Sequence, residues 1–214
     1  MDLSGSVCLV TGASSGIGAA LARELTARGA IVAAAARRHD LLAELGVAST
    51  HVVDLSDPAD ALRLADEVLG AHGRVDVLVN NAGVRIDGAI SEVSLDDLDR
   101  SFQVNALSPF VLAGRLAPGM VERGAGVIAN VLAPQVSGGR RGMGAYAASK
   151  AALESLTQTL RQEVGGGRGV GVFGFDPGWV RTALAPDGPD APEAAAARLL
   201  VHVEAGRSAR EILS

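Results

Sequence analysis

Short, almost wholly apolar runs alternate with longer amphipathic stretches from one end of the chain to the other. The runs predict strands over residues 7–11, 31–36, 50–53, 75–80, 126–131 and 170–175, with a further short run at 211–213. Apolar positions recurring at helical spacing predict helices over 16–28, 57–71, 95–120, 145–164 and 192–203, and a shorter one near 39–45. Asp57-Pro58, and Ser94 followed by acidic residues, read as helix starts. Strand–helix alternation of this kind implies right-handed crossovers, and therefore an α/β fold: a doubly wound parallel sheet with helices on both faces, the Rossmann architecture. The glycine-rich stretch 165–169 leads straight into a strand and is a helix exit rather than a linker. The one long Pro-containing loop, 177–192, separates the sixth strand from the last helix. No repeat and no boundary divides the chain, so residues 1–214 are expected to form a single dinucleotide-binding domain with its site built in.

Composition narrows this picture. The 214 residues are 48% hydrophobic but only 3% aromatic, so the core must be made of Ala, Val, Leu and Ile. The formal net charge of −5 argues against a nucleic-acid partner, which would call for a basic footprint. Cys8, the single cysteine, lies inside the first apolar run and reads as a buried strand residue, so neither a disulfide framework nor a cysteine metal site is expected. His39, His51, His72 and His202 show no metal-ligand spacing, and no metal is expected. No basic-then-apolar leader opens the chain, and no apolar run approaches the roughly 18 residues of a membrane span. A cytoplasmic protein without a membrane partner is the expectation.

Chemistry enters at residue 11. Thr11-Gly12-Ala13-Ser14-Ser15-Gly16-Ile17-Gly18 follows the first strand and opens the first helix. Glycines there permit a tight turn, close approach of backbone to a pyrophosphate, and close helix–strand packing, while free N–H groups at the helix start face the phosphates. A site for a 2′-hydroxyl usually places Asp or Glu about 20 residues beyond such a loop. This chain instead has Ala36, Arg37 and Arg38, which favour a 2′-phosphate and hence NADP(H); the alternative is two solvated cations at a strand end.

Tyr146 and Lys150 stand at i and i+4, on one helix face and about 6 Å apart along the axis. An adjacent ammonium favours phenolate, which would lower the Tyr146 pKa toward working pH and make its hydroxyl a proton donor to a carbonyl or acceptor from an alcohol. Spacing alone fits an ordinary helix surface pair better. The wider constellation decides: the loop 11–18, Asp54-Leu55 after the third strand, Asn80-Asn81-Ala82-Gly83 after the fourth, Asn105, Tyr146 with Lys150, and Pro177-Gly178-Trp179-Val180-Arg181-Thr182. In identity and order these resemble the short-chain dehydrogenase/reductase family, over about residues 3–203.

The resemblance implies roles. Gly12, Ser14, Ser15, Gly16, Ile17 and Gly18 would form the phosphate loop, and Asp54 and Leu55 would contact adenine. Asn81, Ala82 and Gly83 would line the adenosine ribose, while Pro177, Gly178, Val180 and Thr182 would hold the nicotinamide end. Lys150 would bind ribose hydroxyls and tune Tyr146; Asn105 would kink its helix and hold a water relaying protons to Lys150. A homodimer or homotetramer is implied, with helices 95–120 and 145–164 pairing across a two-fold.

One departure stands out. The family carries a serine thirteen residues before its tyrosine, and here that position is Ala133. Losing one such donor costs about 10²–10³ in rate. Gln135 or Ser137 in the following loop are candidate substitutes. Three functions therefore stay open: an NADPH-dependent ketoreductase or alcohol dehydrogenase acting on a small carbonyl or alcohol, an enzyme of non-redox acid–base chemistry, and a non-catalytic NADP(H)-binding protein. The 177–192 loop lacks the long apolar lid common in the family, which would leave an open site.

Overall fold

The computed structural model describes residues 1–134, 139–206, 208–209 and 212–214. Six parallel strands, β1 (Val7–Thr11), β2 (Ile31–Ala36), β3 (Ser49–Val52), β4 (Val77–Asn80), β5 (Gly126–Val131) and β6 (Val170–Phe175), form one sheet in the order β3-β2-β1-β4-β5-β6. Strand order reverses between β1 and β4, which opens a crevice at their carboxyl ends where such sheets bind ligands.

Alternating side chains feed two cores. Cys8, Val10, Val77 and Phe173 meet Leu21 and Leu25 of α1 (Gly16–Ala27) and Leu199 and Leu200 of α7 (Pro192–Ala205). Leu9, Leu78, Ile128 and Val172 meet Leu64 and Val68 of α3 (Pro58–His72), Leu112 and Leu116 of α5 (Ser108–Arg123) and Leu160 of α6 (Gly144–Val164). Period-two alternation with both faces covered is what near-continuous apolar strands produce. The Cys8 thiol is buried, and burial pushes its pKa up to about 12, which makes it an inert core residue.

Helix starts fall where expected: the Asp57 carboxylate accepts from Ala59 N at 2.8 Å with Pro58 next, and Ser94 Oγ accepts from Asp97 N at 3.1 Å. The short α2 spans His39–Ala43. The expected 95–120 helix is not continuous. α4 (Leu95–Phe102) passes into a π-helical turn, Gln103–Leu107, before α5 begins. Pro109 has no N–H to give the Asn105 carbonyl, which interrupts the ladder here. In the run at 211–213, the Leu213 N–H reaches Gly174 O at 2.9 Å and its carbonyl accepts from Asp176 N at 2.7 Å, while Glu211 lies outside the described residues.

Two histidines meet away from the crevice, at the outer strand β3. His51 Nε2 and His72 Nε2 lie 3.1 and 2.8 Å from Ser49 Oγ, and His51 Nδ1 lies 3.1 Å from Glu67. Among the described residues, no group of three or more His, Cys, Asp or Glu is arranged to hold a metal, and no helix is long and apolar enough to cross a membrane.

Candidate active site

The crevice is a cavity of about 410 Å³. Its walls include Gly12, Ser14, Ser15, Gly16 and Ile17 from the first loop, Arg37 and Arg38 after β2, Asp54 and Leu55 after β3, and Asn81, Ala82 and Gly83 after β4. Tyr146 and Lys150 of α6 and Pro177, Gly178, Val180 and Thr182 after β6 complete them. Two residues read as part of the site, Gly18 and Asn105, do not line the cavity.

Gly18 supports the wall from behind. A β-carbon there would lie 2.5 Å from both Gly12 O and Asn81 Nδ2, and one at Gly12, whose φ is 67°, would lie 2.8 Å from Ala82 Cα. Glycine is thus required by close backbone packing as well as by conformation. Thr11 Oγ1 locks the two loops together, accepting from the backbone N–H groups of Asn81 and Ala82, each at 3.0 Å. The Asn81 amide donates to Thr11 O at 2.9 Å, so its side chain braces the glycine loop. Thr182 closes the loop from the other side, because a β-carbon at Gly16 would lie 3.0 Å from its methyl.

The two arginines separate. Arg38 lies across the glycine loop, its Nε donating to Ser14 Oγ at 3.1 Å and its Nη2 to Ser14 Oγ at 2.9 Å and Ser15 Oγ at 2.6 Å. Arg37 faces Asp54. Burial raises the Asp54 pKa, but hydrogen bonds from Ser56 N–H and Oγ, with the charges of Arg37 and Arg100, outweigh it and hold the carboxyl below its usual range. Asp54 is the one acid among the cavity's lining residues, against Arg37, Arg38, Arg85, Arg100 and Lys150. That balance, with glycines a β-carbon would obstruct and the open start of α1, fits a dinucleotide carrying phosphates.

Asn105 sits in the π-helical turn and ties it to the loop after β4. Its amide donates to Val84 O at 2.8 Å and Ser149 Oγ at 2.9 Å, while its Oδ1 accepts from Val84 N at 2.9 Å. Ser149 and Ser101, which no motif marked, complete this buried cluster: their hydroxyls are 3.2 Å apart, and Ser149 Oγ also donates to Tyr146 O at 2.8 Å. Asn105 Oδ1 and Lys150 Nζ both flank Gly83, 3.4 and 3.7 Å from where its β-carbon would be.

Lys150 is only 3% exposed, and its ammonium donates to Val131 O at 2.7 Å. Burial lowers its pKa to about 8. Tyr146 departs from the sequence expectation: burial raises its pKa to about 12, partly offset by the Arg85 charge and reinforced by Asp176. The Arg85 charge counters burial at Tyr146, and the Lys150 ammonium is directed at the Val131 carbonyl. Arg85 also lines the cavity, and no spacing rule pointed to it. Ala133 packs with Met143 and Tyr146 and presents no hydroxyl, while Gln135 and Ser137 lie outside the described residues.

The family model for short chain dehydrogenases matches residues 6–191. An oxidoreductase of Mycobacterium bovis is 40% identical over 173 residues, covering 74% of this chain and 50% of that protein. The chain thus spans about half the length of that relative. D-threitol dehydrogenase of Mycolicibacterium smegmatis is 35% identical over 93% of the chain and 79% of its own length. The 3-oxoacyl-[acyl-carrier-protein] reductase FabG of Thermotoga maritima is 33% identical over 93% and 84%. Among solved structures, a short-chain dehydrogenase from Streptomyces avermitilis superposes with a TM-score of 0.91 at 32% identity, covering 99% of this chain and 89% of that one. A metagenomic short-chain oxidoreductase in complex with NADP has a TM-score of 0.85 at 35% identity, covering 100% and 96%. A short chain dehydrogenase/reductase from Burkholderia phymatum in complex with NAD has a TM-score of 0.90 at 27% identity, covering 97% and 89%. A doubly wound sheet, a phosphate-fitting loop at its switch point and a family match across most of the sequence agree: the chain belongs to the short-chain dehydrogenase/reductase family of oxidoreductases.

Proposed function

We propose that the protein is an NADP(H)-dependent oxidoreductase interconverting a ketone or aldehyde and an alcohol. The observation that carries this reading is the setting of Tyr146 and Lys150 on one face of α6, in the same cavity as the glycine loop and the arginines. Bound in that cavity, a nicotinamide cofactor supplies or accepts a hydride at the carbon of the carbonyl or alcohol. Gly12, Ser14, Ser15, Gly16 and Ile17 hold its phosphates, Asp54, Leu55, Asn81, Ala82 and Gly83 its adenosine half, and Pro177, Gly178, Val180 and Thr182 its other end.

Tyr146 delivers the proton to the substrate oxygen. With its pKa pushed up to about 12, the phenol is fully protonated at neutral pH, the state needed in the reducing direction. Lys150, near 8, changes charge close to working pH, and Val131 O holds its Nζ beside Gly83. Asn105 is a positioning residue that joins the π-helical turn to the Val84 backbone. The preference for NADP(H) rests on Arg38 above Ser14 and Ser15, with Arg37 lining the same cavity, since a 2′-phosphate is an anion that guanidinium groups bind in bidentate fashion. We further propose a homodimer or homotetramer paired through α5 and α6, consistent with exposed Leu107 and Phe110 at the start of α5; light scattering on the eluting species tests it.

Ala133 favours a second reading. Because Ala133 presents no hydroxyl to Tyr146, the Tyr146–Lys150 pair also suits non-redox acid–base chemistry, or holding the cofactor without turnover. Calorimetric titration with NADPH and NADH, followed by NADPH oxidation against a panel of ketones and aldehydes, separates these. Tighter NADPH binding with carbonyl-dependent oxidation is expected. Binding without oxidation across the panel rejects the oxidoreductase reading.

A further inference from the structure

At the substrate end of the cavity the walls are apolar: Ala133, Pro134, Met143, Trp179 and Leu184. Arg85 is set into this end from the loop after β4. Its side chain is only 26% exposed, its Nε donates to Asp87 at 2.8 Å, and its Nη1 donates to Leu184 O at 3.0 Å across the mouth of the cavity. These two anchors fix the guanidinium plane. Among the described residues its Nη2 has no hydrogen-bond partner, which leaves donors open on a cation that is already positioned.

We infer that Arg85 is a specificity-determining residue that binds a carboxylate of the substrate, so that the protein acts on oxo acids or hydroxy acids rather than neutral ketones or alcohols. This deepens the oxidoreductase reading and rests on it. A fixed guanidinium in an apolar wall discriminates, because a carboxylate gains charge-assisted hydrogen bonds from its open Nη2 that a neutral substrate does not. A carboxylate is the matching anion. Asp87 already offsets part of the positive charge, which leaves Arg85 better matched to a singly charged anion than to a doubly charged phosphate. Arg85 and Tyr146 line the same cavity, and the Arg85 charge offsets part of the effect of burial on the phenol. The carboxylate would therefore stand close to the carbonyl that Tyr146 protonates.

Pyruvate, acetoacetate and levulinate, each paired with its methyl ester, test this by calorimetric titration into the protein with and without saturating NADP⁺. The wild type is expected to bind at least one acid well above its ester. In Arg85→Ala that acid-to-ester ratio should fall about 10- to 100-fold, the worth of a charge-assisted hydrogen bond, and Arg85→Lys should retain part of it. A purely structural loss, through the Leu184 contact, weakens acid and ester alike and leaves the ratio intact. Equal affinity for acids and esters in the wild type, binding of neither, or an unchanged ratio in Arg85→Ala overturns the inference. NADPH oxidation with the same compounds is read separately: an acid that binds through Arg85 without being reduced defeats the oxidoreductase reading and leaves carboxylate recognition standing.

Discussion

Replacing Lys150 by Met should stabilise the protein at neutral pH and destabilise it at high pH. The ammonium is buried, and its pKa falls from 10.5 in the free side chain to about 8. That displacement corresponds to about 3 kcal/mol lost on burying the charge, at 1.36 kcal/mol per unit. The sign follows from proton linkage: between pH 8 and 10.5 the unfolded chain keeps the proton and the folded one does not, so wild-type stability rises with pH across that window. Met has similar length and no charge, so it removes the burial cost but leaves Val131 O without the Nζ donor at 2.7 Å, a loss of roughly 1–2 kcal/mol. Below pH 8 the variant should therefore be more stable by about 1–2 kcal/mol, or roughly 2–8 °C in Tm. Above pH 10.5 it should be less stable by about 1–2 kcal/mol. The curves should cross between those values, and the Tyr146 titration, common to both proteins, does not move the crossing. Urea midpoints measured from pH 7 to 10.5 give the comparison. A Lys150→Met protein that is less stable at every pH, by a constant margin, would refute the burial argument.

Other residues make separable predictions. Arg38→Ala should weaken NADPH binding by about 10- to 100-fold with little change for NADH, and Arg37→Ala should do so less, because Arg38 alone lies on Ser14 and Ser15; equal losses for both cofactors would remove the arginines as discriminators. Ala133→Ser adds a hydroxyl beside Tyr146 and should raise turnover of simple ketones by up to about 10²–10³. No change in that variant, with loss of activity in Gln135→Ala or Ser137→Ala, would mean that the following loop already supplies the donor.

Most of the architecture is legible in the sequence because strands buried on both faces are almost wholly apolar, as β1, β2, β5 and β6 are but for Thr11 and Asn130. The glycine loop and the Tyr146–Lys150 pair are legible for a related reason: both are local, and backbone geometry translates their spacing into proximity. What escaped was set by tertiary contact. A kink at Asn105 was implied by the resemblance, but its form as a π-helical turn tied to Val84, 21 residues away in sequence, was not. The ordering of Arg37 and Arg38 depends on which one folds over Ser14. Arg85 carries no motif, and its place in the cavity arises from Leu184, 99 residues on. The i, i+4 spacing of Tyr146 and Lys150 does not reveal the Val131 carbonyl that engages the Lys150 ammonium.

The central claim is that hydride and proton reach one carbonyl in this cavity, the proton from Tyr146. The direct measurement uses NADPH carrying deuterium at the transferable nicotinamide position, with an oxo-acid and ketone panel and mass spectrometry of the alcohol formed by wild type and Tyr146→Phe. The account predicts deuterium on the carbinol carbon with the wild type, and near-complete loss of product in Tyr146→Phe with NADPH affinity retained. Product without deuterium, or a Tyr146→Phe protein that keeps most of its turnover, would contradict it.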